Sequence, residues 1–129
     1  MLCDVSSGLF SIHQRKMIHR DIKPENIIFC RGTFKITDFG VAAEKEEDDS
    51  MVGTIPYWAP EMILENKDIF TTKIDVWSLG VTAFECYFKV HPFCPIKGLK
   101  DREMISEIKN NINRLTPNFN MNNYIKLLQ

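Results

Sequence analysis

The stretch that decides the fold is HRDIKPENIIFCRGTFKITDFG, residues 19–40. Ionisable and polar residues open it, and the apolar segments NIIFC and FKIT follow, joined by Arg31-Gly32. The residue before a proline is pushed out of the α region, so Lys23-Pro24 favours a loop over a helix. Two apolar segments around a two-residue turn predict a short antiparallel hairpin. Closing this hairpin should bring Asn26 close to Asp38.

The two loop ends carry the chemistry of a reaction site. An amide oxygen from Asn26 and a carboxylate from Asp38 are hard ligands suited to Mg²⁺, which takes its remaining oxygens from water and phosphates. Asp21, kept free of metal, could orient a hydroxyl and accept its proton. Lys23 could neutralise charge on the group transferred. These residues predict metal-assisted phosphoryl transfer to an alcohol.

Composition limits the classes of protein to consider. The chain has 129 residues, 44% hydrophobic and 26% charged, as in a single soluble globular domain. A formal net charge of -1 provides no field for binding nucleic acid or an anionic membrane. The longest apolar stretch, residues 76–88, is too short to span a bilayer and contains Glu85. We therefore expect neither a nucleic-acid partner nor a membrane.

The cysteines and the N-terminus indicate a compartment. The four cysteines lie far apart without a CxxC pair, which predicts reduced, mostly buried thiols and disfavours a disulfide framework or a zinc site. The first ten residues lack the pattern of a signal peptide. We expect a cytoplasmic protein.

Hydrophobic spacing predicts three helices. They are expected over about residues 4–16, over about 73–88 and over about 101–111. The second is apolar nearly all round and is therefore predicted to be buried. The segment from Asp38 to Glu61 is expected to be a functional or a disordered loop. Residues 122–129 have the pattern of a helix that is just beginning.

Four motifs together resemble a known family. HRDIKPEN (19–26), DFG (38–40), GTIPYWAPE (53–61) and DVWSLG (75–80) are similar, in order and separation, to signatures of eukaryotic protein kinases. The resemblance implies an α+β, protein-kinase-like fold. Residues 1–129 would be a partial kinase domain truncated at both ends: the mostly helical C-terminal lobe, with a short β-hairpin carrying the catalytic loop and the N-terminal lobe absent.

The resemblance also assigns roles in catalysis. Asp21 would be the catalytic base. Asn26 and Asp38 would hold Mg²⁺, and Ile28 would lie in the strand beneath the adenine of ATP. Lys23 and Thr54 resemble the serine/threonine class, in which both side chains approach the catalytic aspartate.

Regulatory roles follow from the same resemblance. The position of Phe39 would separate active from inactive states. Ser50 would be phosphorylated by an upstream activating kinase, with Arg20 as the partner of the phosphate. The alternative is that Ser50 is an unmodified loop serine. The acidic run at residues 44–49 is either a solvated face or a partner of Arg20 before phosphorylation.

Three further residues are assigned structural roles by resemblance. His19 would pack in the apolar stack below the site. Asp75 would accept hydrogen bonds from the backbone of the catalytic loop. Glu61 would pair with a buried arginine, which is expected beyond Gln129.

The implied function is ATP-dependent phosphorylation of serine or threonine hydroxyls on proteins. The segment HPFCPIKGLKDREMISEIKN (91–110), with SMVGT (50–54), is similar to inhibitor-of-κB-kinase-related enzymes, including the TANK-binding kinase group. A kinase also needs a Gly-rich loop, a lysine and a glutamate from an N-terminal lobe, so this chain alone is expected to be inactive. The alternative is a non-catalytic kinase-like binding or decoy module.

Overall fold

The computed structural model describes residues 1–44, 51–63 and 70–115, except for the side chain of residue 115. The helices are α1 (Leu2–His13), α2 (Pro60–Ile63), α3 (Lys73–Phe88) and α4 (Asp101–Leu115). The strands are β1 (Met17–Ile18), β2 (Ile27–Cys30), β3 (Thr33–Ile36) and β4 (Ala43–Glu44), and 3₁₀ turns cover Pro24–Asn26 and Ile55–Tyr57. The predicted α+β class, with helices in the majority, is confirmed.

The predicted hairpin is formed by β2 and β3. The strands pair antiparallel, with Ile27 opposite Ile36 and Cys30 opposite Thr33. The intervening Arg31 and Gly32 have φ angles of 51° and 83°, and a two-residue type I′ turn requires positive φ at both central positions. The turn therefore fixes the register, and the register brings the loop before β2 beside the residues that follow β3.

One core cluster holds α1, the hairpin and α3 together. Val5 and Leu9 lie one helical turn apart on α1 and are 0% and 3% exposed. They form a cluster with Ile22 and Leu79, against which apolar residues of β2 and β3 pack. The amino-terminal helix thus provides a platform under the loop that precedes the hairpin.

Two helices end at residues other than those predicted. Helix α1 ends at His13, before the predicted residue 16, since Lys16 has a left-handed φ of 59° that a helix does not accept. Helix α4 continues to Leu115, four residues past the predicted end. Its apolar face continues as well, because Ile108 and Ile112 are both 1% exposed in the same cluster.

The bounds predicted for α3 are confirmed, but its predicted burial on all sides is wrong. Ile74 and Val81 are 1% and 3% exposed, whereas Val76 and Tyr87 are 59% and 80% exposed. Among the described residues, the core clusters pack against one side of this helix. An apolar sequence therefore did not require a fully buried helix here. No helix in the described ranges combines the length and apolarity needed to cross a membrane.

The four cysteines are free thiols, as predicted, but they are not mostly buried. Only Cys94 is buried, while Cys30 and Cys86 are partly exposed and Cys3 is exposed. Cys3 lies on α1, whose core-facing side is taken by Val5 and Leu9. Helical spacing therefore leaves Cys3 towards solvent.

The segment predicted as one long loop after Asp38 contains short regular elements. Strand β4 pairs antiparallel with β1, with Ile18 opposite Ala43. A 3₁₀ turn and α2 follow further along. Residues 45–50, and the tail at 116–129 that was predicted to begin a helix, lie outside the described residues.

Candidate active site

The loop between β1 and β2 is anchored by one apolar residue. Ile22 is 0% exposed and belongs to the cluster beneath the loop. Its neighbours Asp21 and Lys23 are only partly buried, and their charged ends meet at 2.9 Å from Nζ to Oδ2. The 3₁₀ turn at Pro24–Asn26 then closes the loop, and the backbone N–H of Asn26 donates to the Lys23 carbonyl at 3.0 Å.

Asp21 is the centre of a hydrogen-bond network. The Thr54 hydroxyl donates to Asp21 Oδ1 at 2.6 Å. Asn26 Nδ2 donates to Asp21 Oδ2 at 3.0 Å and to the Asp21 carbonyl at 2.8 Å. Lys23 Nζ also donates to the Thr54 hydroxyl, at 2.8 Å. Four of the predicted site residues are therefore brought together around one carboxylate, which is held in a fixed orientation.

These donors decide the charge state of Asp21. Burial alone would raise the pKa of this carboxyl, because it disfavours the ionised form. The hydrogen bonds from Thr54, Lys23 and Asn26, with the charge of Lys23, outweigh burial and hold the pKa of Asp21 below its usual value. Asp21 is therefore ionised at neutral pH, as a proton acceptor must be.

Thr54 reaches Asp21 because Gly53 approaches the loop closely. Gly53 has a φ of +95°, and a Cβ added there would lie 2.2 Å from the carbonyl oxygen of Arg20. No other residue type fits without moving the chain. The sequence analysis did not single out Gly53; its place directly before Thr54 in the third motif was the available signal.

Hydrogen bonds hold the segment after Thr54 against α3. The Tyr57 hydroxyl donates to Glu85 Oε2 at 2.5 Å, and Ser78 Oγ donates to the Tyr57 carbonyl at 2.7 Å. Burial and the carboxylate of Glu85 both raise the pKa of Tyr57. Tyr57 therefore remains a hydrogen-bond donor throughout the physiological pH range, and the position of Thr54 is supported from the α3 side.

Asn26 and Asp38 fit the chemistry of a magnesium site. Because Asn26 directs its amide nitrogen to Asp21, its Oδ1 is the atom left for a metal ion. The Thr37 amide donates to the Asn26 carbonyl at 2.9 Å, so the exposed Asp38 lies one residue beyond the partner of Asn26. Its Oδ1 accepts the Gly40 amide at 3.2 Å. One carboxylate and one amide oxygen suit Mg²⁺, which commonly keeps water and phosphate oxygens as its other ligands.

Asp75 is buried at the start of α3, and its carboxylate holds the loop by accepting hydrogen bonds from the loop backbone. It is 0% exposed. Its Oδ2 accepts the amide of His19 at 2.9 Å, and its Oδ1 accepts the amide of Arg20 at 2.8 Å. His13, at the end of α1, also contacts Oδ2 at 2.8 Å. The sequence analysis did not single out His13, because a contact across 62 positions leaves no local pattern.

His19 lies below the loop and in contact with Phe39. It is 0% exposed, and its ring meets that of Phe39 edge to face with 5.0 Å between centroids. Its Nδ1 accepts the Asp21 amide at 3.3 Å, and its Nε2 is 3.1 Å from the Thr37 carbonyl. Phe39 itself is 49% exposed. His19 thus links the loop to the residues after β3.

Arg20 joins the loop to the segment after Phe39. Its side chain is 8% exposed, and Nε donates to the Val41 carbonyl at 2.6 Å. Its backbone adopts a left-handed φ of 68°. Ser50, the expected phosphorylation site, lies outside the described residues.

The remaining two site residues lie at opposite extremes of exposure. Ile28 is 46% exposed, on the face of the hairpin that it shares with Lys35. Glu61, in α2, is 0% exposed. An exposed strand position is available to a flat apolar ligand, whereas Glu61 is buried in the fold.

Comparison with known proteins adds independent evidence on the family. The family model of the protein kinase domain matches residues 1–127. The beta subunit of the inhibitor of nuclear factor kappa-B kinase from Bos taurus is 41% identical over 102 residues, covering 74% of this chain and 13% of the relative. The serine/threonine-protein kinase KIC1 of Saccharomyces cerevisiae is 40% identical over 108 residues, covering 79% of this chain and 10% of the relative.

A mitogen-activated protein kinase kinase, mkk2 of Aspergillus fumigatus, is 47% identical over 93 residues, covering 69% of this chain and 18% of the relative. The predicted similarity to inhibitor-of-κB kinases is confirmed, and comparable identities extend it to other kinases. The chain spans less than a fifth of the length of each of these three relatives. The kinase motifs lie within the matched residues, and the chain belongs to the protein kinase family.

Proposed function

We propose that this chain contributes the catalytic loop and acceptor side of an enzyme that transfers the γ-phosphoryl group of ATP to serine or threonine hydroxyls on proteins. The observation that carries the proposal is the Asp21 carboxylate, ionised and oriented by Thr54, Lys23 and Asn26. A carboxylate accepts at about four lone-pair positions, so the Asp21 oxygens can take one more donor.

Each residue has a defined part in the proposed reaction. Asp21 orients the acceptor hydroxyl and accepts its proton as the hydroxyl oxygen forms its bond to phosphorus and the bond to the leaving diphosphate breaks. Lys23, 2.9 Å from Asp21, places a positive charge beside the transferring group. Asn26 and Asp38 would hold Mg²⁺, which neutralises charge on the phosphates of ATP. Ile28 offers an apolar surface for the adenine.

Phosphoryl transfer depends on positioning the nucleotide as well as the acceptor. In protein kinases, a Gly-rich loop and a lysine–glutamate pair on another lobe position the phosphates. We therefore expect the isolated 129-residue chain to show negligible transfer, because positioning and electrostatic stabilisation make up nearly all of this catalysis. Asp21-dependent phosphorylation by the purified chain alone would contradict this expectation.

The test uses residues 1–129 preceded by the nucleotide-binding lobe of a serine/threonine kinase relative, here named the two-lobe protein. It is assayed with ATP, Mg²⁺ and peptides carrying serine, threonine or tyrosine. We expect transfer to serine and threonine, and a loss of about 10²- to 10⁴-fold in Asp21→Asn. The matched control, Asp101→Asn, changes an exposed carboxylate on α4 and should retain activity.

A folded two-lobe protein without Asp21-dependent transfer would overturn the proposal and favour the binding or decoy module. Transfer to tyrosine alone would overturn the serine/threonine assignment.

Regulation through Ser50 is part of the same proposal. A phosphate there would carry about -1.5 to -2 charges at neutral pH and could order the segment through an arginine. Arg20 supports the idea, since it already bridges the loop and the Val41 carbonyl. An upstream kinase would supply the phosphate. Unchanged activity of Ser50→Ala after treatment with such a kinase would exclude this switch.

A further inference from the structure

His91, in the segment between α3 and α4, is a histidine that the proposed reaction does not use. Its Nδ1 accepts the backbone N–H of Phe93 at 3.2 Å and that of Cys94 at 2.9 Å. A neutral imidazole has one nitrogen that donates and one that accepts. Because two donors point at Nδ1, this nitrogen carries no proton and the neutral ring is protonated at Nε2. The imidazole thus closes a turn over residues 91–94, named here the 91–94 turn.

The 91–94 turn joins α3 to α4. The ring of Phe93 stacks on that of Trp77 in α3, with 5.4 Å between centroids. The Phe93 carbonyl accepts a hydrogen bond from Asn111 Nδ2 of α4 at 3.1 Å. Cys94 is 8% exposed, in the core cluster that includes the apolar face of α4. The two amides that the imidazole binds therefore belong to residues that contact both helices.

The same ring contacts the segment that follows Thr54. The rings of His91 and Tyr57 meet edge to face, with 5.3 Å between centroids. Nε2 of His91 is buried and forms no hydrogen bond within the part of the chain that the structure describes. A second proton must therefore bind Nδ1, where the two amides already donate. A protonated Nδ1 accepts no hydrogen bond, so both bonds that close the 91–94 turn are lost on protonation.

Burial and charge act on His91 in opposite directions. Burial disfavours the charged ring and lowers the pKa of His91 below its usual value of 6.5. The carboxylate of Glu85 and the backbone of Pro56 favour the charged ring, but burial outweighs them. His91 is therefore neutral at neutral pH, which is the state that the two amides require.

The groups that surround His91 come from α3, from the segment after Thr54 and from α4. Glu85 of α3 is the charged group that acts directly on the ring. Tyr57, which binds Glu85, is neutral because burial and that carboxylate raise its pKa. On the α4 side, burial and the charge of Glu107 raise the pKa of the Cys94 thiol, which is neutral as well. Neither Tyr57 nor Cys94 changes its protonation in the pH range in which a histidine titrates.

We propose that His91 is a pH-dependent switch in the fold: its neutral ring closes the 91–94 turn, and its protonation opens this turn and loosens the contacts with α4 and Tyr57. In the unfolded chain, His91 takes up a proton at about pH 6.5, whereas the folded chain does so at a lower pH. The stabilisation is therefore complete above about pH 6.5 and is lost as the pH falls from there to the folded pKa of His91. The inference does not depend on phosphoryl transfer.

Two variants separate a switch from a histidine that only fills space. His91→Asn places an acceptor oxygen on the same side-chain carbon and can accept the two amides as in an Asx turn, but it does not titrate. His91→Phe keeps a ring beside Tyr57 without an acceptor. The other two histidines, His13 and His19, are present in the parent and in His91→Asn, so their contributions cancel in that comparison.

The measurements use the 129-residue chain. Nitrogen-15 NMR of the imidazole, titrated with pH, should place the neutral proton on Nε2 and give His91 a pKa below 6.5. Urea titration at about pH 7.5 and about pH 5.5 gives the folding equilibrium constant. We expect this constant to fall about three- to tenfold more in the parent than in His91→Asn, since one proton changes it at most about tenfold per pH unit.

Hydrogen exchange of the Phe93 and Cys94 amides tests the turn directly. Their protection should fall about tenfold in His91→Phe, as for the loss of one hydrogen bond. In the parent it should fall at the pH at which the ring titrates, and in His91→Asn it should persist there.

A neutral ring protonated at Nδ1, a His91 pKa of 6.5 or above, or equal pH dependence in the parent and His91→Asn would each overturn the inference. Unprotected Phe93 and Cys94 amides in the parent at neutral pH would do the same. If His91→Asn does not fold, the ring titration and the amide exchange of the parent still decide whether protonation opens the 91–94 turn.

Discussion

Replacing Gly53 with alanine is expected to damage catalysis far more than stability. Gly53 has a φ of +95°, and an added Cβ would lie 2.2 Å from the Arg20 carbonyl oxygen and 3.5 Å from Trp58 Nε1. A carbon and a carbonyl oxygen normally stay about 3.3 Å apart or more, so the two backbone segments must separate by roughly 1 Å. Thr54, the next residue, carries the hydroxyl that holds Asp21 at 2.6 Å.

The size of the effect follows from two separate costs. A non-glycine residue at an unfavourable positive φ costs about 1–3 kcal/mol of stability. A misplacement of about 1 Å at an active site can lower the rate about 10²-fold. Gly53→Ala should therefore lose about two orders of magnitude in kcat of the two-lobe protein beyond any loss from unfolding.

Gly98→Ala is the matched control for the backbone cost. Gly98 has a φ of +80°, and an added Cβ there meets nothing within 4 Å. Both variants should lose free energy of unfolding through the φ angle, measured by urea titration, with a larger loss in Gly53→Ala because its Cβ also meets the Arg20 carbonyl; only Gly53→Ala should lose turnover. Equal kcat values in the two folded variants would refute the close approach of Gly53 to Arg20 as the cause.

Two further predictions concern hydroxyl groups. Thr54→Val removes a hydrogen bond that favours the ionised form of Asp21, so the pKa of Asp21, held below 3.8 in the parent, should rise. In the parent, the ion pair of Asp21 is complete above the usual carboxyl pKa and is lost as the pH falls through the lowered folded pKa. Because the variant has a higher Asp21 pKa, the acid limb of its pH–rate profile should move to higher pH. An unmoved limb would contradict the hydrogen-bond network. Tyr57→Phe removes the donor to Glu85 and should lower the free energy of unfolding by about 1.5–3 kcal/mol, measured by urea titration, since the lost bond involves a charged partner. A loss below about 0.5 kcal/mol would show that water replaces the hydroxyl.

Local patterns were enough to predict the elements that carry the site. The hairpin followed from two apolar segments around Arg31-Gly32, and its positive φ angles are those the turn requires. The hairpin register is set locally and led to the expectation that Asn26 lies close to Asp38; the bond from the Thr37 amide to the Asn26 carbonyl, one residue before Asp38, supports it. The bounds of α3 also followed from a continuous apolar run.

Local sequence patterns could not predict contacts between distant parts of the chain. His13 and Asp75 are 62 positions apart, and the close approach of Gly53 to Arg20 depends on how two loops meet. The exposure of one face of α3 depends on what packs beside it, which hydrophobicity does not encode: Val76 is apolar and yet 59% exposed.

The support of the catalytic geometry is concentrated in the backbone around the site. Arg20 and Asp38 are non-glycine residues with left-handed φ angles of 68° and 60°, each costing about 1–2 kcal/mol relative to ordinary backbone. The backbone at Arg20 is held by the buried Asp75 of α3, which accepts a hydrogen bond from the Arg20 amide and orients the loop. The carboxylate of Asp21 does not support the loop backbone; its oxygens contact the side chains of Thr54 and Lys23. In the proposed reaction, the two carboxylates therefore have different parts: Asp75, 0% exposed, supports the loop from beneath, and Asp21, with its side chain 12% exposed, receives the acceptor hydroxyl.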